Sequence, residues 1–193
     1  MWRALCRAGG VAVLMTAIPL IRPNAQPVVA APLADGGVTF LLHSTIIGHF
    51  TGHAPVARAA FSGSRLLEVR GAVEVLVARM QTGNGLRDRH MRETMNADSF
   101  PTIRFDLDSV VAGSVAGDTT GVVLTGRLAI HGVTRPVRAT GTVVARPGGE
   151  DVDATFGLDM RDYGIRPPVR AVVLHVAPDV VITVHLSFGR PPA

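Results

Sequence analysis

Apolar and polar residues alternate with a period of two through most of the chain after residue 36. Val38, Phe40 and Leu42 alternate with Thr39, Leu41 and His43. Leu67, Val69, Val73, Val75 and Val77 share one face, and Glu68, Arg70 and Glu74 share the other. Ile103, Phe105 and Leu107 alternate with Arg104, Asp106 and Asp108. Val122, Leu124, Leu128 and Ile130 alternate with Thr125 and Arg127. Val180, Ile182, Val184, Leu186 and Phe188 alternate with Thr183, His185 and Ser187. Successive side chains of a strand point to opposite faces, so this is the pattern of antiparallel strands with one buried face. Turn residues separate the runs. Gly113 to Gly121 reads as a hairpin loop, and His131-Gly132 and Pro147-Gly148-Gly149 punctuate the next two pairs. About eight short strands at this spacing predict an all-β sandwich or closed barrel.

Thr82 to Phe100 breaks the alternation. Asn84 can cap a helix, and Leu86, Met91 and Met95 recur at helical spacing. Asp88–Arg92 and Arg89–Glu93 are opposite charges at i,i+4. Pro101 stops the helix, because the residue before proline avoids the right-handed helical region. One short helix near residues 84–96 is therefore expected, placed to plug or lid one end of a barrel.

Composition narrows the class. The chain has 193 residues, 47% hydrophobic and only 18% charged. That length fits one domain with a short appendage, and the balance excludes intrinsic disorder. Residues 1–30 read as a signal peptide and 31–193 as the domain. Arg3 and Arg7 form a positive start, Gly9 to Ile21 is apolar, and Val28-Val29-Ala30 suits cleavage before Ala31, with cleavage after Ala25 the second choice. The chain is thus expected in the bacterial periplasm or outside the cell. All 19 basic residues are Arg, and three of them precede residue 30, so the remainder is nearly neutral against 15 acids. No charge excess favours nucleic acid as a partner. Cys6, the only cysteine, lies in the leader, which leaves the domain without disulfide or cysteine–metal chemistry.

Candidate chemistry is sparse. Seven His are scattered, and His49 and His53 would stand about 13 Å apart along one strand, too far to share a metal ion. The absence of Lys excludes a Schiff base, and no nucleophile elbow or phosphate loop is present. No metal and no cofactor are expected. Arg87-Asp88-Arg89-His90 is the densest polar cluster. Asp88 and His90 are poorly placed as a catalytic pair, because residues two apart diverge on a helix. A structural network or a head-group contact through Arg87, Asp88 and His90 is the better reading.

These same residues carry a family likeness. Thr82-x-x-x-Leu86-Arg87-Asp88-Arg89-His90-Met91, followed by Phe100-Pro101-Thr102-Ile103-Arg104-Phe105, resembles the ordered motifs of the YceI-like family. Leu124-Thr125-Gly126-Arg127-Leu128-Ala129-Ile130-His131-Gly132-Val133-Thr134-Arg135-Pro136-Val137 resembles that family's hairpin motif, with Ala129 where the family has Thr. Arg161-Asp162-Tyr163-Gly164-Ile165 resembles a third segment, shortened by one residue. The resemblance implies a lipocalin-like antiparallel β-barrel of about eight strands. It also implies an apolar pocket for a polyisoprenoid or another long-chain amphiphile, and no catalytic residue.

The residues and the resemblance together nominate a cavity wall. Alternation nominates Phe40, Phe105, Leu128 and Ile130, and the resemblance adds Phe50, Met91 and Phe100. The expected function is non-catalytic binding of an isoprenoid or fatty amphiphile, with transient membrane contact and a homodimer compatible with it. Two alternatives remain open: an envelope stress or structural module with a side-chain-filled barrel, and a lipid-modifying enzyme using His90 or His131.

Overall fold

The computed structural model describes residues 36–44, 48–63, 65–166, 169–170 and 174–189. The expected leader, residues 1–30, lies outside the described residues. The elements in chain order are β1 (Gly37–Ser44), β2 (Gly48–Ser62), β3 (Arg70–Leu76), the helix α1 (Gly85–Thr94), β4 (Thr102–Ala116), β5 (Thr119–Ile130), β6 (Val133–Arg146), β7 (Gly149–Asp159), β8 (Val169–Arg170) and β9 (Leu174–Gly189). Short 3-10 turns occur at Leu66–Glu68, Val77–Arg79 and Met160–Tyr163.

Each strand from β1 to β7 pairs antiparallel with the next, β7 pairs with β9, and β9 returns to β1. Eight antiparallel strands therefore close into a ring. The two-residue β8 pairs only with the start of β9. The predicted inward sets lie on the inner face, Leu67 excepted. Phe40, Val75, Leu107, Val122, Leu128, Ile130, Val180 and Leu186 are buried.

Three local expectations are corrected. The apolar face of β3 does not begin at Leu67. Residues Leu66–Glu68 form a 3-10 turn and the strand starts at Arg70, so Leu67 is 54% exposed. The segment Gly113 to Gly121 is not a long loop. Both strands run through it, and the connection is Gly117-Asp118, with Gly117 at φ 58°. Positive φ at the first turn position matches the twist of the flanking strands, and glycine adopts it freely. The helix ends at Thr94, well before Pro101. Asn96 takes φ 47°, Asn96 N–H donates to Glu93 O, and Ala97 N–H donates to Arg92 O. That is the left-handed helix stop in which the last carbonyls are satisfied by the turn itself.

Local chemistry ties α1 to the barrel. Asn84 Oδ1 accepts from Leu86 N and Arg87 N at 3.1 Å each, which caps the helix as expected. Asp88 Oδ1 accepts from the backbone N–H of Thr82 at 2.7 Å and from its hydroxyl at 2.6 Å. The partner of Asp88 is thus the chain leading into the helix, rather than an arginine. Arg87 lays its guanidinium over the Phe50 ring of β2, 4.6 Å from the centroid. Replacing Asp88 by Ala removes a charged acceptor from two donors. It should lower stability by about 1–2 kcal/mol in a denaturant melt, and Asp88→Asn, which keeps an acceptor oxygen, should lose less.

Candidate functional site

The ring encloses a cavity of about 470 Å³. All eight closing strands contribute to its wall. Val38, Phe40, Leu42, Val75, Phe105 and Leu128 are among the side chains that face it, and β9 contributes Val180 through Phe188 at every second position. That stretch of β9 spans about 20 Å along the barrel axis at the usual rise and tilt.

The two ends differ. One end carries the turn at His131-Gly132, the helix α1, and the 3-10 turns Val77–Arg79 and Met160–Tyr163. It is packed shut: Val77, Met80, Met95, Tyr163 and Ile165 form one buried cluster. Met80, Met95 and Met160 face the cavity from this floor. Thioether side chains adapt to irregular shapes, so the floor can follow the end of a flexible chain. The opposite end carries the connection from β2 to β3, the turns at Gly117-Asp118 and Pro147-Gly148, and the end of β9. Ser62, Gly63, Arg65, Leu66, Gly149 and Glu150 border the cavity there. Arg65 and Glu150 are the only charged residues on its wall, among the described residues, and both are exposed at this mouth.

Two glycines keep the lumen open. Gly52 is the register partner of Phe40, and a Cβ at Gly52 would collide with the Phe40 ring. A Cβ at Gly126 would collide with the Phe105 ring and with the Asp106 carbonyl. Each ring therefore lies against the wall over a glycine instead of standing across the cavity. This is how Phe40 and Phe105, two of the five Phe on the wall, leave free volume in the interior.

The nominated residues separate into two groups. Phe40, Phe105, Leu128 and Ile130 stand on the cavity wall. Phe50, Met91 and Phe100 do not. Phe50 lies under Arg87, and Met91 packs against the buried cluster at the closed end. The Phe100 ring sits 4.4 Å from the His131 ring and over Gly132. His131 and Gly132 both take positive φ, 51° and 78°, as a two-residue hairpin turn requires, and Phe100 covers that turn. Arg87, Asp88, His90 and His131 all belong to the closed end and none faces the cavity. No cluster of three His, Cys, Asp or Glu is placed to hold a metal, among the described residues. The His175 side chain lies outside the described residues.

Sequence reading missed Met80, Met160, Arg65 and Glu150. They come from 3-10 turns, connections and a strand end, where no periodicity marks the inner face. The outer surface carries the strongest ion pairing. Arg104 bonds both Glu74 and Asp106, and Arg127 holds Asp108 at 3.1 Å. The Arg104 guanidinium holds the Asp106 carboxyl below the usual carboxylate range. The expectation that Asp106 and Asp108 face outward is met, and they take no part in the cavity.

A model of the YceI-like domain matches residues 34–188. The chain belongs to the YceI-like family. Its fold is similar to a solved polyisoprenoid-binding domain from Saccharophagus degradans implicated in plant cell wall breakdown, with a TM-score of 0.68 and 14% identity over 86% of this chain and 100% of that one. It is similar to Burkholderia cenocepacia BcnA, with a TM-score of 0.65 and 16% identity over 81% of this chain and 98% of the other. Campylobacter jejuni YceI gives a TM-score of 0.52 and 14% identity, over 69% of this chain and 81% of that one. No curated protein matches the sequence.

Two measurements test this site. Gly52→Ala meets only the tip of a movable ring, so it should swing Phe40 into the cavity and shrink it at small cost in stability. Gly126→Ala meets backbone as well, and should destabilise the barrel by at least about 1 kcal/mol more. Paired denaturant melts check the order. Tyr163, the only tyrosine, is 3% exposed, and burial pushes its phenol above its ordinary pKa of 10.0. The neutral phenol is the form the fold favours. Its contribution is full below the unfolded value and is lost as pH rises through the folded one. Phenolate absorbance should therefore rise at higher pH in folded than in denaturant-unfolded protein, with stability falling across the same range.

Proposed function

We propose that this protein is a non-catalytic carrier of a polyisoprenoid or another long-chain amphiphile, acting in the bacterial periplasm or outside the cell. The observation that carries the reading is the cavity: a deep apolar volume, closed at one end, whose only charged residues among those described lie at the other. Its size falls in the range of about 300–1,000 Å³ typical of ligand sites. Each methylene moved from water into such a wall gains about 0.8 kcal/mol, so one aliphatic chain supplies ample affinity. The asymmetry orients the ligand. The tail lies toward Met80, Met95 and Met160, and the head group stays at the mouth beside Arg65 and Glu150.

The similar Saccharophagus degradans domain is described as polyisoprenoid-binding, which supports an isoprenoid as the ligand class. The leader read in residues 1–30 supports export, and a domain without cysteine is indifferent to an oxidising compartment. The enzyme alternative finds no support, because His90 and His131 stand outside the cavity. The filled-barrel alternative has to account for about 470 Å³ of apolar space.

Leu128→Trp separates the carrier from a filled barrel. Enlarging a side chain in a filled core costs about 1–3 kcal/mol. Leu128 borders the cavity, so the substitution should abolish co-purified lipid on solvent extraction and leave the melt of the delipidated protein nearly unchanged. A strongly destabilised barrel from which the wild type also yields no lipid would refute the carrier reading.

A further inference from the structure

The exposed apolar side chains of the described surface are unevenly distributed. Of five exposed large apolar side chains, Leu67 at 54%, Val111 at 59% and Val115 at 70% belong to the mouth end, while Leu86 lies at the closed end and Val181 midway along β9. Leu67 lies in the 3-10 turn whose neighbours Leu66 and Val69 face the cavity. Beyond Leu107, the last β4 residue paired with β3, β4 continues without β3 beside it. Every residue from Val111 to Ala116 is exposed, and Ser109 to Gly117 contains no charge. Leu66 and Val69 pack with Leu107 and Val110, which sets the turn against this part of β4. An uncharged apolar ledge thus stands beside the opening of an apolar cavity.

We propose that this ledge docks the mouth onto a lipid bilayer, with Leu67 and Val115 entering the acyl boundary. The inference rests on the carrier reading and names the partner of its open end. A chain leaving the cavity needs an apolar medium at the mouth, since exposing it to water forfeits what burial gained. A bilayer supplies that medium, and apolar side chains around an opening are the means of reaching it. A second copy of the chain is the less suited occupant. The β4 ladder shifts register between Ala112 and Val115, and such a bulge works against edge-to-edge strand pairing. The contact is apolar rather than electrostatic. Among the described residues, the charged groups of the rim, Arg65, Glu68, Arg70, Asp118, Arg146, Glu150 and Asp151, carry no net positive charge. Docking should therefore need no anionic lipid and should tolerate salt.

Leu86 provides a matched control. It is also 54% exposed, and it belongs to α1 at the closed end. The experiment is co-flotation with vesicles of phosphatidylcholine, and of phosphatidylcholine mixed with phosphatidylglycerol. It uses residues 31–193, which contain every strand of the ring. A double variant carrying L67E and V115E should lose about tenfold or more of its vesicle binding, while L86E binds like the wild type. Solvent-extractable lipid should be the same in all three, which separates failure of docking from failure of the carrier reading. Sedimentation without vesicles reports self-association. Equal binding by all three proteins, binding that requires phosphatidylglycerol, or a wild-type dimer dispersed by L67E and V115E would each overturn the proposal.

Discussion

The pairing of β1 with β9, from Gly37 opposite His185 to Leu41 opposite Val181, is the constraint on which the other features depend. It joins the first strand to the last and closes the ring, while the stretch of β4 that runs beyond β3 at the mouth has no strand partner on that side. Once the ring closes, the inner set of every strand faces one enclosed volume, and its size follows from strand number and tilt rather than from any single side chain. An interior lined by Val, Leu and Ile does not fill that volume. Of the five Phe side chains on the wall, Phe40 and Phe105 lie over Gly52 and Gly126 instead of standing across it. The closure is also the contact of greatest sequence separation in the ring. Its loop entropy must be overcome before its hydrogen bonds contribute, which places it late in folding.

The two ends divide the work between them. The most ordered sequence motifs, around Arg87-Asp88-x-His90 and Ile130-His131-Gly132, build the closed end. Asp88 fixes the entry to α1, Arg87 stacks on Phe50, and Phe100 covers the strained turn at His131. These residues act on the cavity by keeping its floor shut. The open end has looser chemistry: glycines, Arg65 and Glu150 beside the cavity, and an exposed apolar ledge. A rigid floor and a permissive mouth suit a site that takes in one end of a long molecule.

The fold and half of the wall were legible in the sequence for one reason. A sheet with one apolar face writes its inner set at every second position, and Phe40, Phe105, Leu128 and Ile130 follow that rule. The family likeness nominated Phe50, Met91 and Phe100 for the cavity wall, and they stand instead at the closed end, outside it. Met80 and Met160 were not legible because turns have no period. Leu67 shared the parity of β3 but lies in the turn before that strand, and this displacement exposes it. Gly113 and Gly121 read as loop residues, yet the flanking strands continue through them because Gly117 alone provides the turn. In each case backbone geometry outside the regular strands decided the position of the side chain.

The central claim is that the apolar volume is occupied by a single amphiphile. Native mass spectrometry of the protein taken from the cells that make it tests this most directly. One dominant species is expected, heavier than the lipid-free protein by the mass of one lipid and stripped to the apo mass by organic solvent. A spectrum showing only the apo mass, from protein never exposed to solvent or detergent, would contradict it.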